Sequence, residues 1–199
     1  RSLLKSFKIK VYDEDTGYGL LRYVLIRKAE FTDEIMVVLV TASPVFPSKR
    51  NFVEALRREH PEITTVVQNI NDRTDSLVLG SKYQVLWGKG YIVDRLCGCS
   101  FKISPGSFYQ VNPIQAQKLY EKAIELADLT GKETVVDAYC GTGTIGMIAA
   151  KKAGKVFGVE SNPDAVRDAV GNAKANDVKK KRKYKENAGH FLQSCAADN

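Results

Sequence analysis

The chain has 199 residues, of which 44% are hydrophobic and 27% charged, and its formal net charge is +7. That is enough apolar material for one large domain or two small ones with packed cores. No apolar run is long enough to span a bilayer and no signal peptide is visible, so the reading is a cytoplasmic protein with no membrane partner.

In chain order, residues 7–41 read as strands at Phe7–Tyr12, Leu20–Arg27 and Ile35–Thr41, each rich in β-branched or aromatic residues. Ser48–His60 reads as a helix with Phe52, Val53 and Leu56 apolar, stopped by Pro61. Strands are expected at Thr64–Ile70, Tyr83–Trp87, Tyr91–Leu96 and Ser100–Ser104. Together these make an α+β domain over residues 1–104, with the boundary at Pro105-Gly106. A second domain, 105–199, opens on a helix capped by Asn112, with Pro113 at its first position. Then come a strand around Thr134–Ala138, a helix from about Ile145, a strand at Val156–Val159, and a helix from Asn162-Pro163 to about Asn176. A third strand is expected near Lys183–Glu186. That segment is almost wholly polar, which a parallel sheet tolerates only at its edge.

The most informative stretch is Val135-Val136-Asp137-Ala138-Tyr139-Cys140-Gly141-Thr142-Gly143-Thr144-Ile145-Gly146, a buried strand running through a glycine turn into a helix. A second strand follows and ends in Glu160, whose carboxylate can accept two hydrogen bonds from ribose hydroxyls. Strand, glycine loop, helix and acid-ended strand make one half of a nucleoside-binding α/β fold. Gly141, Gly143 and Gly146 satisfy the dinucleotide pattern G-x-G-x-x-G literally, so the glycines alone discriminate poorly. Asp137, four residues before the first glycine, favours S-adenosylmethionine: a carboxylate there repels a pyrophosphate but can help hold an ammonium. A dinucleotide, or a glycine-rich turn with no ligand, remains the alternative.

The charge is uneven. Residues 174–185 hold seven basic residues and one acid, which leaves the rest of the chain nearly neutral. Such a run is either a solvated loop or a nucleic-acid contact. Four cysteines, Cys97, Cys99, Cys140 and Cys195, show neither zinc spacing nor a disulfide framework, so no metal is expected.

Two signatures stand together: Ser107-Phe108-Tyr109-Gln110-Val111-Asn112 before a helix, then the Asp137–Gly146 loop. This pairing resembles the RNA uracil-C5 methyltransferases, which make 5-methyluridine in ribosomal and transfer RNA. Gln68-Asn69-Ile70-Asn71 and Leu79-Gly80 resemble their central domain. The likeness covers about residues 7–190 and is greatest to the 23S ribosomal RNA branch of Gram-positive bacteria. It implies an α/β protein: an α+β central domain followed by the first half of a Rossmann-like class I methyltransferase domain. It also implies S-adenosylmethionine as cofactor and RNA as partner, ribosomal before transfer. By residue, Gln110 would contact the cofactor near the target base, Tyr139 would line the cofactor pocket, Glu160 would hold the ribose, and Asn187 falls where the family contacts the adenine end. Bland readings stand beside these: Gln110 as a helix-start residue bonded to backbone, Tyr139 as core, Glu160 as a cap on the next helix.

The family's chemistry needs a cysteine thiolate to attack C6 of uracil and a base to remove the C5 proton. Both follow a D-P-P-R motif that this sequence lacks, so no catalytic residue is assigned, and nucleophile and base are expected beyond Asn199. Cys195 lacks the context, and Cys140 reads as a small packing residue. The chain therefore reads as an internal fragment, inactive by itself and prone to self-association through its half-sheet. The competing readings are a fragment of a nucleotide-binding oxidoreductase and a non-catalytic RNA-binding module.

Overall fold

The computed structural model describes residues 1–178 and the backbone of 181–184. The chain divides into two compact units, Arg1–Ile92 and Val93–Asn199.

In the first unit a short helix, α1 (Ser2–Ser6), precedes the strands β1 (Leu21–Lys28), β2 (Ile35–Thr41), β3 (Ile63–Ile70) and β4 (Lys82–Trp87), with the helix α2 (Lys49–Glu59) between β2 and β3. The four strands form one sheet in chain order. β2 and β3 are parallel, and the outer pairs are antiparallel. A parallel pair needs a crossover, and α2 supplies it. Phe52 and Val53 on α2 bury against Val37, Leu39, Ile63 and Val66 of the sheet. β2 lacks polar alternation, and Met36 through Thr41 are all buried, as befits a strand covered on both faces.

The strand expected at Phe7–Tyr12 does not form. Lys8 has a φ of 53°, which interrupts the extended backbone directly after Phe7. What remains is an isolated bridge from Val11 to Leu21 and another from Asp13 to Tyr18.

The polar run at the end of β3 has a structural task. Gln68, Asn69 and Asn71 are fully buried. Asn69 exchanges two 2.8 Å hydrogen bonds with the backbone of Gly80, and Asn71 Nδ2 donates to the Leu77 carbonyl at 2.7 Å. A Cβ at Gly80 would lie 2.0 Å from the Ile70 carbonyl oxygen, so only glycine allows this approach. Buried amides that find backbone partners fasten the loop after β3 at little net cost.

The second unit contains the two-stranded ribbon β5 (Ile92–Leu96) and β6 (Cys99–Ile103), then α3 (Pro113–Leu126), β7 (Thr134–Asp137), α4 (Thr144–Ala149), β8 (Lys155–Val159), α5 (Pro163–Ala175) and β9 (Lys181–Tyr184). Cys97 and Gly98 turn the ribbon with φ of 47° and 68°, as two-residue hairpin turns require. β7, β8 and β9 are parallel in that order. Among the described residues the polar β9 is at the sheet edge, two residues earlier than the Lys183–Glu186 expected. Asn112 caps α3 by accepting from Gln115 N at 3.1 Å, and Asn162 caps α5, each followed by proline.

The sequence reading grouped the β5–β6 ribbon with residues 1–104. Leu96, Cys99 and Phe101 bury among Ala116 of α3, Met147 and Ile148 of α4 and Ala173 of α5, so from Val93 onward the ribbon packs within the second unit. Its alternating apolar side needs a helical partner, and these three helices supply one.

Candidate functional site

β7 ends at Asp137, and the chain turns through 138–143 into α4. Gly141 and Gly143 take φ of 50° and 80°, a region that disfavours side chains. Gly143 occupies the N-cap position and offers no side chain to the helix. Asp137 compensates, because its Oδ2 accepts from Gly146 N at 2.9 Å. A Cβ at Gly141 would meet nothing within 4 Å, so the space above this glycine is open. At Gly158 on β8 a Cβ would come 3.0 Å from Cys140 Sγ. That glycine makes room for the Cys140 side chain, which is buried packing as its sequence context suggested.

Glu160 follows β8 and reaches back to the loop. Its Oε2 accepts from Gly141 N at 3.0 Å, and its Oε1 accepts from Asn162 N at 2.7 Å. The carboxylate thus links the glycine loop to the start of α5. This includes the capping role that was its bland reading; Oε1 also accepts from Ser161 Oγ at 3.4 Å, a long bond that a ligand hydroxyl can displace, and Oε2 keeps a lone pair.

A cavity of about 140 Å³ opens over the loop, lined by Asp137, Tyr139, Gly141 and Thr142 on one side and by Phe108, Tyr109 and Gln110 on the other. Tyr139 is 84% exposed, so it is not core. Gln110 Nε2 donates to the Tyr120 hydroxyl at 3.3 Å, a side-chain contact to α3 rather than the backbone bond of its bland reading. The Tyr109 hydroxyl is buried with no hydrogen-bond partner among the described residues. Burial, with Asp94 as a second cause, pushes its pKa up, so it stays a neutral donor. Gly143, in the same turn, is not among the residues that line the cavity. Asn187 and Cys195 lie outside the described residues, as do Lys179, Lys180, Lys185 and the side chains of 181–184 in the lysine-rich run.

Sequence reasoning missed a row of polar residues along α5 and its C-cap. The buried Asp168 and Asn172 and the half-buried Asn176 bond to Ser104, Lys102 and Ser100 respectively. Their signal was present as three polar residues at i, i+4 and i+8, beside Ala165, Ala169 and Ala173 on the same helix.

The chemistry of this arrangement suits a nucleoside bearing a positive charge. Glu160, bonded to the glycine loop but not part of the cavity lining, offers a carboxylate for paired hydroxyls, and Asp137 brings a negative charge to the cavity. Asp137 also neutralises the start of α4, where a dinucleotide's pyrophosphate would otherwise bind.

Comparison with known proteins agrees. A family model described as a methyltransferase domain matches residues 129–199. A protein of Oceanobacillus iheyensis named as an uncharacterized RNA methyltransferase is 43% identical over 178 residues, 89% of this chain and 39% of its own length. Another of that name from Caldanaerobacter subterraneus is 47% identical over 176 residues, 88% of this chain and 39% of its own length. The chain belongs to this family of RNA methyltransferases. It spans about two-fifths of the length of the relatives it matches. Among solved structures, the tRNA (uracil-54, C5)-methyltransferase of Pyrococcus abyssi in complex with S-adenosyl-L-homocysteine aligns with a TM-score of 0.76 at 28% identity, over 92% of this chain and 44% of that one. The Rossmann-like methyltransferase architecture expected for this RNA methyltransferase family member is therefore the one observed.

Proposed function

We propose that the chain is the cofactor-binding portion of an enzyme that moves a methyl group from S-adenosylmethionine to C5 of a uridine in RNA, and that the RNA is 23S ribosomal RNA. The observation that carries this reading is the single cavity joining Gln110 to the Gly141 loop, with Glu160 bonded to that loop at 3.0 Å. The residues fit the cofactor: open space over Gly141, a carboxylate for the ribose and a second carboxylate for the amino group. When bound, the cofactor supplies an electrophilic methyl on a sulfonium.

In this reading Glu160 orients the ribose, Asp137 and Gln110 orient the methionine end, and Tyr139 covers it. Phe108 and Gln110 face the target base. The base must leave its stack to reach them. Uracil C5 becomes nucleophilic when a thiolate adds to C6; C5 takes the methyl as the methyl–sulfonium bond breaks, a base removes the C5 proton, and the thiolate leaves C6. Cys140 does not suit the first task, because it is wedged against Gly158. Nor does Cys97, whose thiol pKa is pushed up by burial. The nucleophile and the base are assigned to the part of the protein that this chain, spanning about two-fifths of its relatives' length, does not cover. Support for C5 of uracil comes from the two-motif resemblance and from the uracil-C5 activity named for the Pyrococcus abyssi structure.

Two measurements test the reading. Calorimetry of the chain should show heat of binding with S-adenosyl-homocysteine and none with NAD. Disruption of the gene should remove a 5-methyluridine from ribosomal RNA. Loss of one from transfer RNA instead would move the substrate, and an unchanged nucleoside profile would overturn the C5 assignment.

A further inference from the structure

α5 contributes no residue to the lining of the 140 Å³ cavity, yet it holds both of the cavity's walls. Asn172 is 1% exposed. Its Oδ1 accepts from Lys102 N at 2.7 Å, and its Nδ2 donates to the Lys102 carbonyl at 3.4 Å and to the Thr142 carbonyl at 3.2 Å. One side-chain amide therefore touches the β6 backbone and the glycine loop together. Four residues earlier Asp168, 4% exposed, accepts from Ser104 Oγ at 2.9 Å and from Ser107 Oγ at 2.5 Å, with Lys102 Nζ at 3.6 Å balancing its charge. Ser107 directly precedes Phe108, Tyr109 and Gln110, the opposite wall.

The spacing explains how a helix can do this. Residues four apart on a helix advance about 6 Å along its axis, and alternate residues on a strand advance about 6.6 Å. Asp168, Asn172 and Asn176 therefore stay level with Ser104, Lys102 and Ser100. Asn176 closes the row: its Oδ1 accepts from Ser100 N at 2.8 Å and its Nδ2 donates to the Ser100 carbonyl at 2.6 Å. A carboxamide carries the same donor and acceptor as a peptide group, so Asn172 and Asn176 stand in for a neighbouring strand along β6.

We infer that Asp168 and Asn172 are positioning residues, which fix the Phe108–Gln110 segment and the Gly141–Thr144 loop at the separation the cofactor needs. The role rests on the cofactor reading above, but its geometry can be tested apart from it. Asn176 belongs to the same row, and its Nδ2 also meets the Asn172 carbonyl at 2.8 Å and Met147 Sδ at 3.9 Å, but it reaches neither wall, so it serves as the internal control. Losing buried hydrogen bonds frees the attached backbone to open locally.

Hydrogen exchange on the chain, followed amide by amide, tests this together with thermal unfolding. Asn172→Ala should raise exchange by roughly tenfold both in 141–144 and along β6. Asn172→Asp keeps the acceptor for Lys102 N and loses the donor to Thr142, so it should open 141–144 and leave β6 protected. Asp168→Ala should open 107–110, and Asn176→Ala should raise exchange near Ser100 alone. Equal exposure of both walls in Asn176→Ala would overturn the proposal, since the effect would then follow general stability. Unchanged wall protection in Asn172→Ala would also overturn it. In the full-length enzyme Asn172→Asp should raise the Kd for S-adenosyl-homocysteine about tenfold, with Asn176→Asp near wild type; equal affinities would remove the positioning role. Failure of the wild-type enzyme to bind S-adenosyl-homocysteine would sink the cofactor reading instead, and the exchange results would still decide the brace.

Discussion

Asp137 Oδ2 lies 2.9 Å from the backbone nitrogen of Gly146, so the last residue of β7 caps the third position of α4 from outside the helix. The interaction follows from Gly143, which takes the N-cap place for its backbone conformation and leaves the capping to another side chain. Replacing a capping carboxylate with alanine costs about 1–2 kcal/mol. Asp137→Ala should lower the unfolding free energy by about that amount, and Asp137→Asn by less, because an acceptor remains. Denaturant titration of both variants decides between this role and a purely ligand-facing one, which would leave stability untouched.

Glu160 accepts from Gly141 N and Asn162 N. Glu160→Gln keeps one acceptor oxygen and loses the charge. Charge-assisted bonds to ribose hydroxyls are worth about 1.5–3 kcal/mol, so in the full-length enzyme S-adenosylmethionine affinity should fall by about tenfold or more. Calorimetry on a variant with unchanged melting temperature provides the check. Full affinity in a folded protein would remove the ribose role.

Gln110 bonds to Tyr120 at 3.3 Å, a long contact that a ligand could replace. In the full-length enzyme Gln110→Ala should reduce methyl transfer with little change in stability. Should stability drop while activity per folded molecule holds, the residue is a brace on α3 rather than a ligand contact. Tyr120→Phe separates the two further, since it removes only the protein partner.

Among the described residues β7 pairs with β8 alone, and its other edge is open beside an apolar groove of about 330 Å³ lined by Ile124, Leu129, Val135 and Val136. Open apolar edges recruit further strands. The isolated chain is expected to self-associate in sedimentation, to bind cofactor weakly and to transfer no methyl group. Val136→Lys should shift it toward monomer. A wild-type chain that sediments as a single monomer and methylates uracil RNA would refute this.

Glu133 receives the Thr130 hydroxyl at 2.5 Å and the N–H groups of Thr130 and Gly131 at 3.0 and 3.1 Å. These bonds, the Thr130 hydroxyl first, hold its carboxyl down at about 2 from the ordinary 4.5. A depressed folded-state pKa stabilises the fold above the unfolded value. The contribution is therefore complete above about pH 4.5 and is lost as pH falls toward 2. An NMR titration of the Glu133 carboxyl should show the low midpoint. Glu133→Gln should flatten the acid limb of the stability curve over that window, and a midpoint near the ordinary value would contradict the loop geometry.

The sequence by itself determined the local grammar. Asn112-Pro113 and Asn162-Pro163 start helices where caps and prolines dictate, the Asp137–Gly146 stretch turns where its glycines allow positive φ, and the polar β9 lies at an edge because its residues offer nothing to a core. These are short-range effects, set by neighbours in the chain. Only the tertiary structure decided the rest. Phe7–Tyr12 has the composition of a strand but loses its extension at Lys8. The β5–β6 ribbon takes its partners from helices up to 76 residues later in sequence (Ser100 with Asn176 is the longest such link). Asp168 and Asn172 show nothing in the sequence beyond helical spacing, and they become the braces of the cavity only when α5 comes to lie along β6. Hydrogen bonds that close over such separations depend on how the elements pack, and that information is spread over the whole unit rather than carried by any one segment.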